Sequence, residues 1–194
     1  MWAATYSSEK NPVKSSSDEI IKKMLIGVNG QRVVDVGCGT GYFCHYAEKE
    51  GAKEVVGIDF SSEMIEQAKK NCKQTRFIMG DVRTVEFQES SAEILICALV
   101  LGHLENLETI ILKFSKALAK NGVLVISDFH PFLTLNGQNR TFKMGRKHFE
   151  VPHYLHMLHD YINLLTQSGF VIEQMEEPTW KGTPVIFVLK ARKS

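Results

Sequence analysis

From residue 32 to residue 127, short runs of aliphatic and β-branched residues alternate with stretches of helical period. Arg32–Val36, Glu54–Ile58, Arg76–Met79, Glu93–Leu99 and Val123–Ser127 read as strands, closed by Gly37, Asp59, Gly80-Asp81 and similar breakers. Between them the spacing predicts a helix over Gly41–Glu50 and another from Ser61 or Ser62 through Met64, Ile65 and Ala68. A third runs over Leu107–Ala119, with Ile110, Ile111, Phe114, Ala117 and Leu118 on one face. The strands are apolar nearly throughout, as in a parallel sheet covered on both faces. In such sheets ligands sit at the carboxyl ends of the strands. Those ends carry Gly37–Gly41, Asp59, Asp81, Leu99–His103 and Asp128–His130.

The flanks are less regular. Residues 1–18 are polar and read as a loose arm, and Asp18 is placed to cap a helix running to about Ile26. Residues 1–30 are therefore taken as an N-terminal arm and helix. Past Phe129 the alternation breaks, and residues 129–153 read as an irregular insertion or lid, with Pro131, Gly137, Gly145 and Pro152. A helix over His153–Ser168 follows. Phe170–Met175 and Thr183–Ala191 have no room for a helix between them and predict an antiparallel hairpin at the sheet edge. The whole chain, 1–194, reads as a single α/β domain.

Composition narrows this little. With 23 basic and 22 acidic residues the formal net charge is +1, which argues against nucleic acid as the main partner. No apolar stretch approaches the ~20 residues that span a bilayer. The N-terminus lacks the pattern of a secretory signal. The four cysteines form no CxxC pair or zinc-knuckle spacing, so no metal is expected, and free thiols point to a cytoplasmic setting.

Val33-Val34-Asp35-Val36-Gly37-Cys38-Gly39-Thr40-Gly41 is the most specific stretch. It carries a strand through glycines into a helix, a turn that lets backbone approach a ligand and presents helix N–H groups to an anion. A dinucleotide G-x-G-x-x-G would need glycine at position 42, where Tyr42 stands, which disfavours a nicotinamide oxidoreductase. Asp35–Gly41 resembles the first motif of the class I S-adenosylmethionine-dependent methyltransferases, in particular the small-molecule and quinone-type group. Gly169–Ile172 and Glu177-Pro178 are also similar to that group.

The resemblance implies a Rossmann-like, doubly wound, seven-stranded sheet, mostly parallel with the antiparallel C-terminal hairpin. It implies S-adenosylmethionine as cofactor and S-adenosylhomocysteine as product. Asp35, Gly37, Cys38, Gly39, Gly41 and Leu99 would bind the cofactor, with Asp35 favouring the cationic amino group of its methionine part. Asp59 would accept the ribose hydroxyls, Phe60 and Met64 would pack on the adenine, and Asp81 and Val82 would meet its edge.

Methyl transfer needs alignment and water exclusion, and a base only where the acceptor must lose a proton. The Asn/Asp-Pro-Pro-Tyr-like motif of adenine or amide methylation is replaced here by Ala98-Leu99-Val100-Leu101-Gly102-His103. His130 is the first candidate base, with Asp128 beside it to orient it, and His103 is the second. His148, His153, His156, His159 and Tyr154 read as a polar acceptor lining, and Arg140, Lys143, Arg146 and Lys147 make the insertion basic. The expected activity is methyl transfer to O or N of a small molecule, by a monomer or homodimer. The alternatives are a protein or RNA acceptor, or a non-catalytic S-adenosylmethionine-binding partner subunit. The N-terminal arm, with Trp2 and Tyr6, is a candidate lid over the donor.

Overall fold

The computed structural model describes residues 12–138, 141–144 and 147–194. Trp2, Tyr6, Arg140 and Arg146 lie outside the described residues, as do the side chains of Lys143, Lys147 and His148.

Seven strands form one sheet in the order β3-β2-β1-β4-β5-β11-β8. These are β1 (Arg32–Val36), β2 (Glu54–Asp59), β3 (Arg76–Met79), β4 (Ala92–Ala98), β5 (Leu118–Phe129), β8 (Phe170–Glu176) and β11 (Ile186–Lys193). The first five are parallel, while β11 runs antiparallel to both β5 and β8. The expected C-terminal hairpin is present. Its second strand lies inside the sheet and its first forms the edge. Their composition explains the order, because Ile186–Leu189 is buried throughout whereas β8 is largely open to solvent.

Two helical layers cover the sheet. On one face lie α1 (Pro12–Met24), α2 (Tyr42–Lys49) and α3 (Ser62–Asn71), sharing a core of Ile21, Met24, Phe43, Cys44 and Ile65 with Val33, Ile96 and Val188. On the other, α4 (Glu108–Ala117) and α6 (Leu158–Gln167) bury Ile111, Phe114, Tyr161 and Leu165 against Leu95, Ile126 and Phe187. Each face pairs an apolar helix stripe with an apolar strand surface, which is why these strands show no polar alternation.

Three expectations are corrected. The first helix begins by Pro12, and Asp18 lies inside it, 8% exposed, rather than capping it. Proline is preorganised for a first helical turn, and the Ile21–Met24–Leu25 stripe holds the segment regardless of its weak serine run. The insertion is not irregular. It contains a short helix α5 (Pro131–Leu135) and a hairpin of β6 (Thr141–Met144) and β7 (Lys147–Glu150). The helix expected from His153 starts at Leu158, with Met157 as N-cap, so His153 and His156 precede it and share no helix face. A further short hairpin pairs β9 (Thr179–Trp180) with β10 (Thr183–Pro184).

The strand order reverses between β1 and β4, which are direct neighbours although four elements separate them in sequence. Connections diverging to either side leave a crevice at the carboxyl ends of these two strands.

Candidate functional site

The crevice is a pocket lined by Asp35, Gly37, Cys38, Gly39, Leu99 and Ser127, with Ser17, Asp18, Thr40 and Tyr42 closing it. Gly37 and Gly39 have φ of 69° and 53°, the left-handed region that glycine enters at little cost. A Cβ at Gly37 would stand 2.1 Å from Val100 Cγ2, whereas one at Gly39 would meet nothing within 4 Å. The first glycine thus lets strand β4's exit pack close, and the second opens its backbone to a ligand. The Gly39 N–H donates to Asp59 Oδ2 at 2.8 Å, and the Ser61 N–H donates to Oδ1 at 2.9 Å. Asp59 therefore ties the loop to the end of β2. Burial pushes its carboxyl above the ordinary range, and the N–H groups of Ser61 and Gly39 pull it back in part.

Asp35 is buried under the loop and accepts from the Cys44 thiol at 3.4 Å. Ser127 is 1% exposed, and its Oγ has no partner among the described residues, so a hydroxyl is left for a ligand at the pocket wall. Phe60 is 80% exposed beside Asp59, while Met64 and Val82 are buried. Asp81 is turned toward Arg83, which donates to it from Nε at 2.9 and 3.0 Å and from Nη2 at 2.5 Å. That guanidinium holds the Asp81 carboxyl below its usual range.

A second group of residues packs as a cover over the exit of β4. The turn Leu101–His103 is fixed by Asp128, whose Oδ2 accepts the Gly102 N–H at 2.5 Å and the Tyr161 hydroxyl at 3.4 Å. Asp128 thus supports this turn, while the orienting role expected of it toward His130 is filled by the Phe132 N–H and Glu177, which engage the two ring nitrogens. His103 Nδ1 donates to the Pro152 carbonyl at 2.7 Å, so Nε2 is the basic nitrogen of the neutral ring. The Tyr154 N–H donates to Gly102 O at 2.8 Å, and His156 Nε2 donates to Leu104 O at 2.7 Å. His153 Nε2 meets Thr134 Oγ1 at 3.1 Å. The segment 152–156 is in this way stitched to the β4 exit and to α5.

His130 N-caps α5. Its Nδ1 accepts the Phe132 N–H at 3.1 Å, so Nε2 carries the proton that it donates to Glu177 Oε1 at 2.7 Å. Both ring nitrogens are engaged, and in this arrangement neither presents a lone pair to an acceptor.

The structure brings Asp35, Gly37, Cys38, Gly39, Gly41, Asp59 and Leu99 together, and places Phe60, Met64, Asp81 and Val82 around the ends of β2 and β3. Ser17, Asp18 and Ser127 were not anticipated. Ser127 was findable, because strand alternation puts it on the opposite face from Asp128. Ser17 and Asp18 come from a helix far away in sequence that only packing delivers to the pocket.

The decisive comparison covers the glycine loop and the ends of β1 to β5. Residues 28–176 match the family described as "Methyltransferase domain". The chain belongs to this methyltransferase family. An uncharacterized protein of Haemophilus influenzae is 29% identical over 209 residues, spanning 90% of this chain and 82% of that protein. Demethylmenaquinone methyltransferase of Thermotoga maritima is 27% identical over 112 residues, covering 57% of this chain and 49% of its own length. The chain thus matches only about half of that relative. An S-adenosylmethionine-dependent methyltransferase of Mesorhizobium loti superposes with a TM-score of 0.80 at 23% identity, covering 90% and 96% of the two chains. This methyltransferase therefore has the class I fold.

S-adenosylmethionine, the donor of that class, meets residues that fit it. Asp35 is a buried carboxylate at the pocket, Ser127 an orphaned hydroxyl, Gly39 an open backbone, and Asp59 a carboxylate at the end of β2, a set whose chemistry suits a cationic, hydroxyl-bearing ligand. Among the described residues no helix is long and apolar enough to cross a membrane.

Proposed function

We propose that this methyltransferase moves a methyl group from S-adenosylmethionine to an oxygen or nitrogen of a small molecule. The observation that carries the reading is the crevice between β1 and β4. There an open Gly39, the buried Asp35 and the orphaned Ser127 hydroxyl converge on one pocket. When bound, the donor supplies an electrophilic methyl on a sulfonium.

The chain's own residues do the rest. Asp35 neutralises the ammonium of the methionine part, and Asp59 accepts the ribose hydroxyls through charge-assisted hydrogen bonds. Phe60 and Met64 flank the adenine, whose edge meets Asp81 and Val82. Asp81 shares its charge with Arg83 and gives part of it up to the adenine amino group. Cys38, Gly41 and Leu99 shape the walls. The cover of residues 152–156 excludes water and holds the acceptor in line, which is where most of the acceleration arises. His103 is the group we assign as base where the acceptor must lose a proton, because its hydrogen bond to Pro152 O leaves Nε2 as the basic nitrogen. His130 serves as a positioning residue that sets α5 and the floor of the cover.

Calorimetric titration with S-adenosylmethionine, S-adenosylhomocysteine and NADH tests the donor assignment, with Asp59→Ala as control. We expect the first two to bind and the variant to weaken both. Binding of NADH alone overturns the reading. A screen of hydroxy- and amino-substituted small molecules against protein and RNA substrates then tests the acceptor class. Turnover of a macromolecule with none of any small molecule would reject it.

A further inference from the structure

Helix α2 leaves the glycine loop and carries a second cluster, none of whose members lines the donor pocket. His45 and Glu48 stand three residues apart on it and share a face. Cys72 follows α3 (Ser62–Asn71) and donates its thiol proton to the Gly41 carbonyl at 3.4 Å. A ring nitrogen of His45, a carboxylate oxygen of Glu48 and the Cys72 sulfur lie within 4.8 Å of one another. Sequence spacing did not suggest this group, because its third member arrives from another helix.

Two observations show that the cluster is not a self-contained hydrogen-bond network. His45 Nδ1 is buried and has no partner among the described residues. A buried ring nitrogen without a donor or acceptor costs stability unless something outside the chain binds it. Glu48 is held firmly but unevenly. Its Oε1 accepts from the Gln74 N–H, the Thr75 N–H and the Thr75 hydroxyl, whereas Oε2 accepts only the Lys73 N–H at 3.1 Å. A lone pair on Oε2 is thus available from a carboxylate already fixed in place. His45 and Glu48 are partly exposed, which gives an entry path.

We propose that His45, Glu48 and Cys72 bind a divalent cation of zinc type, with solvent at the fourth position. Imidazole, carboxylate and thiolate together suit a borderline ion in tetrahedral geometry, whereas magnesium and calcium take all-oxygen shells. Burial and the neighbouring Glu48 charge push the free Cys72 thiol up to about 11, so without an ion the sulfur stays protonated. Binding replaces that proton, and one proton leaves to solvent for each ion bound. The same proton now bonds the Gly41 carbonyl, so ion binding gives up that hydrogen bond and ties α2 directly to Cys72 beside the third glycine of the loop.

The test is titration of the reduced full-length chain with cobalt(II). We expect a thiolate-to-cobalt charge-transfer band that saturates at one equivalent, is displaced by zinc(II) and releases about one proton. Cys72→Ser abolishes the band, and His45→Gln lowers the affinity at least ~100-fold, since even an outer-shell change costs 10–100-fold. Should Cys72→Ser not fold, His45→Gln decides. Absence of the band in the parent chain, its persistence in Cys72→Ser, or undiminished binding in His45→Gln each overturns the proposal.

Discussion

The glycine-loop floor and the cover over the exit of β4 in this methyltransferase are built by different physics. The floor, residues 32–98, is backbone geometry. Parallel strands end in a glycine turn, and Gly39 N–H and Asp59 lock that turn with one hydrogen bond. The cover, residues 101–104 with 130–135 and 152–156, is held by side chains reaching distant groups. His103 reaches Pro152, His156 reaches Leu104, and His130 bridges Phe132 and Glu177. A floor made of φ angles tolerates almost no substitution at its turns. A cover made of single hydrogen bonds, each worth about 1 kcal/mol net, is adjustable.

The sharpest way to break the contrast is Gly37→Ala. It needs a left-handed backbone and puts a Cβ 2.1 Å from Val100 Cγ2. Strain and overpacking together should cost about 3 kcal/mol or more and remove donor binding. A melting temperature and donor Kd like those of the parent would refute this account of the floor. Next is His103→Gln, which should lower turnover ~10²-fold or more while leaving donor affinity within a few-fold. An unaltered kcat and pH–rate profile would remove His103 from the chemistry.

Asp59→Ala should weaken donor binding by roughly 10–100-fold, the worth of a charge-assisted pair of hydrogen bonds. Its pH dependence carries a sign. Burial raises the Asp59 carboxyl, so the ionised acceptor is lost at a higher pH than for an exposed aspartate. Donor affinity should therefore fall as pH drops through that raised value, and the fall should be absent in Asp59→Ala. In the free protein the same shift costs stability as pH rises from the unfolded to the folded value.

His130→Ala should destabilise by about 1 kcal/mol through loss of an N-cap. It should raise the acceptor KM more than it lowers kcat, and a purely kcat effect would restore His130 as a base. The smallest effect is expected for Arg83→Ala. The ion pair with Asp81 lies at the surface, with 68% of the Arg83 side chain exposed, so donor affinity should move less than about fivefold.

The legibility of the sequence follows the same division. Strands β1 to β5 and the glycine turn were readable because apolar runs and glycines report local geometry directly. The antiparallel hairpin was readable from the short link between its strands. Its placement with β11 inside was not, since neighbour choice depends on which strand buries both faces. Asp18 misled because a good N-cap residue also sits within a helix whose position tertiary burial enforces. His153 and His156 misled because their helical spacing falls on a segment whose hydrogen bonds run to Thr134 and Leu104 instead.

The sequence by itself determined the α/β class, the glycine turn, the acid at the end of β2 and the family to which they belong. Each of these is encoded within a few residues by backbone conformation. Only the tertiary structure decided which ring nitrogens of His103, His130 and His156 are engaged, that Asp128 holds a turn, that Ser17, Asp18 and Ser127 line the pocket, and that Cys72 stands beside His45 and Glu48. These facts depend on partners tens of residues away, and no local propensity specifies a partner that only packing brings near.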